Sequence, residues 1–294
     1  MIWRDHAGSQ KAHAIVGSNR RAVGHSRALV PERKRSRKKT YRRKPGGGRK
    51  PLEPWQVFEG IVFVLRTGIQ WKALPKTFGA SSSVHSYFQD WRKAGFFKAL
   101  WAHGVALYDE QKGIGWRWQA IDGAKIKAPM GEDGVGRNPT DGGKSGTGRH
   151  LLVDEKGVPL GIVLVGANRH DVSQLGAVLG SKIACQPDTV KAVVENLRAD
   201  AGYVGEKAEA IIRYHRYIPH VRPRGEEITA KKNKRFKPRR WIVEVSHSWF
   251  NNFRKLKVRY EKTTANVLAL HHLAAATIAL RRCRSKTRKN IIYG

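Results

Sequence analysis

The sequence has few cysteines and no long apolar run, and each absence excludes a class of protein. Cys185 and Cys283 are the only cysteines among 294 residues. A zinc ribbon and a disulfide-rich scaffold are excluded, while one disulfide between the two is left open. No apolar run approaches the roughly 20 residues that a membrane span needs, and no hydrophobic signal segment opens the chain. We therefore expect a cytoplasmic protein with no membrane partner.

Acidic residues are also scarce, and this imbalance indicates the kind of partner. The chain has 23 Asp and Glu against 57 Lys and Arg, a formal charge of +34, and no acidic residue follows Glu261. Such an excess is typical of proteins that neutralise a polyanion, because each basic group that meets a phosphate releases a counterion. Nucleic acid is the favoured partner, and an anionic membrane surface is the competing one.

Both ends of the chain are basic and lack apolar periodicity. Eleven of the eighteen residues from Arg33 to Lys50 are basic, and such a block does not fold without neutralisation. We predict a disordered basic arm over 1–44 and a basic tail over 284–294. The role of the arm is open between nucleic-acid binding, a solvated tail and residues added by an upstream start codon.

Residues 45–110 have apolar side chains at helical spacing. The pattern predicts helices that begin near Pro54, Val84 and Phe96, with a short one at Trp71. A serine-rich turn precedes the helix at Val84, as in a helix-turn-helix DNA reader. The side chains on that helix that would contact DNA are His85, Gln89 and Arg92. The alternative is a helical cap that only packs on the next domain.

The remainder alternates between strand and helix patterns. The predicted strands are 116–121, 150–153, 160–165, 193–199 and 218–221, of which 150–153 and 160–165 form a hairpin. The predicted helices are 171–179, 205–214, one amphipathic helix from Trp241 to Tyr260, and 265–280. Asp171 and Gln174 have the spacing of a capping box. The Gly-rich stretch 131–149 lacks the Walker spacing, so we predict a mobile loop there and exclude nucleotide hydrolysis.

Three acidic residues stand out by their positions. Asp122 and Asp200 each end a predicted strand, and Glu244 borders the apolar face of a late helix. Mixed sheets bring strand ends to one edge, where gathered carboxylates repel one another unless a cation joins them. Hard oxygen ligands favour Mg²⁺ or Mn²⁺, and a pair of such ions suits in-line phosphoryl displacement. The alternatives are a surface salt bridge for Glu244 and ordinary strand-end positions for the aspartates.

Seven stretches of the chain together resemble one known family. They are 65–71, 121–123, 138–141, 166–171, 200–203, 240–244 and 258–262. In this order they are similar to transposases of the insertion-sequence-5 type, in the DDE superfamily with an RNase H-like catalytic core. The resemblance runs from about Gly46 to Arg282. It departs from the family at Ala201 and Val245, where basic residues are frequent.

The resemblance implies a fold and a domain order. The fold class is α/β, with an RNase H-like mixed sheet flanked by helices, preceded by a small helix-turn-helix-like domain and the disordered basic arm. The expected domains are the arm (1–44), a helical domain that binds the element's ends (45–110), the DDE catalytic domain (115–283) and the tail (284–294).

The resemblance also implies a site. Asp122, Asp200 and Glu244 would be the catalytic triad and would hold two Mg²⁺ or Mn²⁺ ions. The expected partner is double-stranded DNA, both terminal inverted repeats and target, handled by a dimer or larger assembly at the bacterial nucleoid. Further DNA contacts are expected from Arg240, Lys144, Arg149, His170 and Lys255. A non-catalytic DNA-binding relative and a simple nuclease are the competing functions.

Overall fold

The computed structural model describes residues 29–31, 40, 44, 50–186, 193–221 and 241–284. Most of the predicted arm and tail lie outside these ranges, as does Arg240. Leu29 and Val30, within the predicted arm, pack partly buried against the hydrophobic core. No helix in the described ranges is long and apolar enough to cross a membrane. Cys185 is exposed and Cys283 is buried, and no disulfide joins them.

The first part of the chain is helical, as predicted. Its helices are α1 (Pro54–Thr67), α2 (Ser81–Lys93) and α3 (Phe96–Lys112), with single 3₁₀ turns at Trp71–Ala73 and Lys76–Phe78. Sequence-local signals set the bounds of α1. The Glu53 carboxylate accepts a hydrogen bond from the Gln56 backbone N–H at 3.0 Å, and Gly68 ends the helix in the left-handed region at φ 74°.

One mixed sheet follows, made of six strands. They are β1 (Trp118–Lys127), β2 (Gly136–Arg137), β3 (Ser145–Asp154), β4 (Pro159–Gly166), β5 (Glu195–Ala199) and β6 (Tyr217–Val221). Strands β1, β3 and β4 are antiparallel neighbours, β5 and β6 continue parallel to β1, and the short β2 pairs with β3. Three antiparallel strands followed by two parallel ones is the RNase H-like arrangement, so the predicted fold class is confirmed.

Five further helices complete the described chain, and two of them cover opposite faces of the sheet. They are α4 (Asp171–Gly180), α5 (Glu206–Tyr214), α6 (Trp241–Asn251), α7 (Arg254–Lys257) and α8 (Thr264–Arg284). Successive side chains of a strand point to opposite faces. On β3, Arg149 contacts α6 while His150 lies beside Asp171 of α4. Helices α6 and α4 therefore lie on opposite sides of the sheet.

The helical segment and the sheet share one hydrophobic core. Helix α3 packs along α8, where a side chain at Gly104 would come within 3.3 Å of the Ala276 carbonyl oxygen. The Trp101 indole stacks on His272 of α8 at 5.2 Å and donates to the Pro159 carbonyl of β4. The predicted boundary between 45–110 and 115–283 therefore falls inside a continuous core.

Three local predictions were wrong, each because tertiary contacts outweigh the local pattern. Strand β1 does not end at Asp122 but continues to Lys127, because β3 pairs with it along its whole length. Strand β3 begins at Ser145, inside the predicted mobile loop. The predicted helix from Trp241 to Tyr260 is broken between α6 and α7, where Phe253 leaves helical geometry and is buried in the core.

Candidate active site

Asp122 and Asp200 lie on neighbouring strands in matching register. Strands β1 and β5 pair in parallel, with Ala120 opposite Arg198. Asp122 and Asp200 each stand two residues further on, and the backbone at Asp200 is still extended (φ −70°, ψ 164°). Because side chains alternate with a period of two, both carboxylates belong to the same face of the sheet.

Backbone amides hold both of these carboxylates. Asp122 Oδ1 accepts from the Gly123 N–H at 2.8 Å. Asp200 caps the 3₁₀ turn Ala201–Tyr203, its carboxylate accepting from the Ala201 N–H. The strand-end position predicted for Asp200 is confirmed, whereas Asp122 lies within β1.

Glu244 lies on the helix that covers this face. It is exposed in the first turn of α6, one turn before His247 and two turns before Asn251. His247 and Asn251 both bind Arg149 of β3, and Arg149 pairs with Ala124, two residues beyond Asp122 on the same face. The structure thus places the three predicted acids on one side of the sheet.

The three acids share one side of the sheet but do not form a closed set of ligands. Within the described ranges, no three His, Cys, Asp or Glu side chains are grouped closely enough to hold a metal ion. Their donor chemistry nevertheless fits a hard divalent cation, since all three offer carboxylate oxygens.

Tyr203 lies close enough to several carboxylates at this edge of the sheet for their charges to affect it. Its side chain is buried, and its hydroxyl has no hydrogen-bond partner among the described residues. Burial raises the pKa of Tyr203, and the charges of Asp171, Asp122 and Asp200 raise it further. Three carboxylates therefore act on one point, the crowding that a divalent cation relieves.

Sequence reasoning missed Asp171 as part of this region. The capping-box prediction is wrong, because His170 occupies the N-cap of α4 and makes no side-chain cap. Asp171 instead lies 3.9 Å from the buried His150 ring. A side chain at Gly123 would come within 2.9 Å of both. The signal available in the sequence was the glycine directly after Asp122, which makes room for this pair.

Two of the predicted DNA contacts are internal. Arg149 is 0% exposed, and its guanidinium binds α6 and lies 5.1 Å from the Phe250 ring centroid. Lys255 is 6% exposed and forms an ion pair with Glu261 at 3.2 Å. We correct both predictions, because neither side chain reaches the surface where a DNA backbone would lie.

Other predicted DNA contacts are exposed or half-buried. Lys144 and His170 are exposed at loops that flank the sheet. His85, Gln89 and Arg92 line one stripe of α2. Gln89 is hydrogen-bonded to His85 at 3.2 Å and to Arg92 at 3.1 Å. Burial is the main cause that lowers the pKa of His85. These contacts stay predictions.

Two protein families match the chain. The family described as "Putative transposase of IS4/5 family" matches residues 27–101, which includes the packed residues Leu29 and Val30. The family described as "Transposase DDE domain" matches residues 117–279, and thus contains all three acids.

Similar proteins carry related names. The chain is 32% identical over 137 residues to the "Putative transposase for insertion sequence element IS402" of Burkholderia cepacia, covering 45% of this chain and 62% of that protein. It is 31% identical over 100 residues to the "Insertion element IS402 uncharacterized 16.2 kDa protein" of the same organism, covering 33% of this chain and 68% of that protein.

Solved structures of the Mos1 transposase are distant. A pre-cleavage Mos1 transpososome is 10% identical and covers 86% of this chain and 81% of its own. A Mos1 paired-end complex with Mn is 12% identical, and the match covers 92% of this chain and 88% of the Mos1 chain. Both have a TM-score of 0.26, which is a low structural similarity.

Proposed function

The chain belongs to the IS4/5-type transposases that carry a DDE domain, and on that basis we propose that it cuts and rejoins DNA. Its substrates would be the ends of its own insertion sequence and a target duplex. The observation that carries this proposal is the β1–β5 register, which sets Asp122 beside Asp200 on the face covered by the Glu244 helix.

A divalent metal ion belongs to this family's chemistry, and the three acids are its proposed ligands. Asp122, Asp200 and Glu244 would hold two Mg²⁺ or Mn²⁺ ions. The bound ions supply Lewis acidity to the attacking and leaving oxygens of an in-line displacement. The chain's own part is to fix the carboxylates by backbone amides at Gly123 and Ala201 before DNA arrives.

Two displacements at phosphorus make up the proposed reaction. In the first, water attacks the phosphorus at the element's end, the bond to the 3′ oxygen breaks, and a 3′-hydroxyl is released. In the second, that hydroxyl attacks a phosphorus of the target strand, whose own 3′ oxygen leaves. The two steps use the same arrangement of groups, so one site serves both.

Double-stranded DNA is the proposed partner, and charge supports it. The formal charge of +34 suits a phosphate backbone. Exposed Lys144 and His170 are proposed contacts to the DNA backbone, and Arg240, four residues before Glu244 in sequence, is proposed with them. The α2 stripe of His85, Gln89 and Arg92 would read the element's ends. Because two ends are handled together, we propose a dimer or larger assembly.

Strand transfer of labelled DNA tests this function. The substrate is a duplex carrying the inverted repeat that flanks the gene, incubated with target DNA and Mg²⁺. Asp122→Asn should reduce joining by more than about 100-fold, since even outer-shell changes at metal sites cost 10–100-fold, while binding of the duplex persists. Glu206→Gln is the matched control, because Glu206 is an exposed acid on α5.

The products also separate the competing functions. A nuclease would give cut ends without joined strands, and a non-catalytic relative would bind the duplex and leave it intact. Undiminished joining by Asp122→Asn would overturn the assignment of the triad.

A further inference from the structure

Arg149 is a buried charge without a counter-charge. It is 0% exposed in β3, and no carboxylate in the described part of the chain forms an ion pair with it. Burial lowers its pKa to about 9, and its Nη1 has no hydrogen-bond partner in the part of the chain that the structure describes. An uncompensated guanidinium in a protein interior is costly. Its retention there calls for a role beyond packing.

Within the described chain, the hydrogen bonds of its side chain go to α6. Arg149 Nε donates to His247 Nδ1 at 3.2 Å, and Nη2 donates to the His247 carbonyl at 3.2 Å and to Asn251 Oδ1 at 3.1 Å. Burial first, and then the Arg149 charge, hold the pKa of His247 well below its usual range. His247 therefore stays neutral, as an acceptor at Nδ1 must be.

These bonds connect α6, which carries Glu244, to β3, the strand that pairs with the Asp122 strand β1. Arg149 pairs with Ala124, two residues beyond Asp122 on the same face of the sheet. His247 and Asn251 lie one and two helical turns after Glu244 on the same stripe of α6. The planar guanidinium thus ties α6 to β3 at two positions one helical turn apart.

We propose that Arg149 is a positioning residue that holds Glu244 opposite Asp122 through α6 and thereby sets the affinity for the divalent cation. The inference rests on the proposed function, since it takes Glu244 as a ligand. It replaces the role of DNA contact that the sequence predicted for Arg149.

The test compares Arg149→Met with Arg259→Met in the full-length chain. Arg259 is also a buried arginine, but its hydrogen bonds within the described chain reach none of the three acids. They go to Asp133, the Thr147 hydroxyl and the carbonyls of Gly134, Glu261 and Lys262. Mn²⁺ is titrated without DNA, and binding is followed by calorimetry and by the rise in Tm. Affinity for the end duplex is measured in parallel.

Arg149→Met should have the larger effect on Mn²⁺ binding, and Arg259→Met should have the larger effect on Tm. Arg149→Met should raise the Mn²⁺ concentration at half-saturation by about 10–100-fold and leave the affinity for DNA within about twofold. Arg259→Met should lower Tm more, because it loses more acceptors, yet leave half-saturation unchanged. If Arg149→Met shifts Tm alone, as Arg259→Met does, the role is structural and the proposal is overturned.

A double-substitution cycle shows whether Arg149 acts through Glu244. Glu244→Gln alone should weaken Mn²⁺ binding, and adding Arg149→Met should cause little further loss, since both remove one interaction. Additive losses would contradict the proposal. Unchanged Mn²⁺ binding and joining in Glu244→Gln would instead overturn the proposed function, whatever Arg149→Met does.

Asn251→Ala keeps the test decisive if Arg149→Met does not fold. Asn251 is exposed, so its truncation removes one guanidinium bond without opening the core. A rise in half-saturating Mn²⁺ of about fivefold supports the proposal, because a lost hydrogen bond of about 1 kcal/mol corresponds to that ratio. No change in half-saturation would overturn it.

Discussion

Two buried tyrosines in this molecule have opposite hydrogen-bonding situations. Tyr108 donates its hydroxyl to Asp154 Oδ2 at 3.0 Å, whereas the Tyr203 hydroxyl has no partner beside the aspartates. A buried polar group without a partner costs free energy, and one with a partner contributes it. Replacing the tyrosine with phenylalanine should therefore change the free energy of unfolding in different directions at the two positions.

We expect Tyr203→Phe to be neutral or to raise the free energy of unfolding by up to about 1 kcal/mol. Tyr108→Phe should lower it by about 1–3 kcal/mol, the range for a hydrogen bond to a charged group. Urea unfolding at pH 7 measures both. A loss of more than about 1 kcal/mol in Tyr203→Phe would mean that its hydroxyl is hydrogen-bonded in solution.

At the scale of elements, local sequence patterns predicted most of the strands and helices. The hairpin of β3 and β4 follows from two apolar runs around Asp154–Gly157, and α8 follows from its apolar periodicity. The second half of β1 was missed because Gly123, Lys125 and Lys127 are poor strand formers on their own. It is a strand because β3 supplies partners from far along the chain.

The residues of the candidate site were likewise predicted only in part from local sequence patterns. Asp122, Asp200 and Glu244 were identified by residue type and position, but the internal roles of Arg149 and Lys255 were not. A basic residue in a strand or helix has the same local pattern whether it faces solvent or a buried partner. The partners of Arg149 on α6 lie 98 or more residues away along the chain, and Glu261, the partner of Lys255, lies six residues away. Only the fold brings these side chains together.

Helix α8 carries two buried histidines that make the stability of the protein depend on pH. Burial, followed by the charge of Arg149, lowers the pKa of His271 to about 3. Burial and Lys98 lower that of His272 to about 4. In the unfolded chain both titrate near 6.5. Between these values the unfolded chain binds more protons, so stability is full above about pH 6.5 and is lost as the pH falls toward 4.

We expect the free energy of unfolding to fall by up to about 1.4 kcal/mol per pH unit for each buried histidine in this range. His272→Phe keeps a ring against Trp101 and removes one titration, so its slope between pH 6 and pH 4.5 should be shallower. Urea unfolding at several pH values measures the slopes. The exposed His170→Gln should match the unchanged chain, and an unaltered slope in His272→Phe would contradict the prediction.

At the scale of the whole molecule, a buried ion pair links the first helices to the end of the described chain. Lys255 and Glu261 form the pair, and Glu261 also accepts from the Trp71 indole N–H at 3.0 Å. Lys255 Nζ contacts the Ile69 carbonyl. Trp71 and Glu261 belong to two of the stretches that resemble the transposase family. The link therefore couples the proposed end-reading helices to the proposed catalytic core.

Glu261→Gln tests this coupling, because it leaves the buried Lys255 ammonium without its carboxylate. Breaking a buried pair from one side costs about 3–5 kcal/mol, so the urea midpoint should fall markedly. Lys255→Met combined with Glu261→Gln should recover much of that loss, since no unpaired charge is then buried. Glu209→Gln, which breaks the exposed pair with Arg213 at 3.6 Å, should leave the midpoint unchanged.

The form of the transition decides whether the molecule unfolds as one body. Because α3 and α8 share a core that runs from the helices to the sheet, the loss in Glu261→Gln should move a single transition. In a background with Trp116, Trp118, Trp241 and Trp249 replaced by Phe, tryptophan fluorescence reports mainly the helices, which hold Trp55, Trp71, Trp91 and Trp101. Far-ultraviolet circular dichroism reports the whole chain. The two curves should coincide in both proteins. An early fluorescence transition in Glu261→Gln would mean that the helices separate first, and that the ion pair rather than the shared core holds them to the sheet.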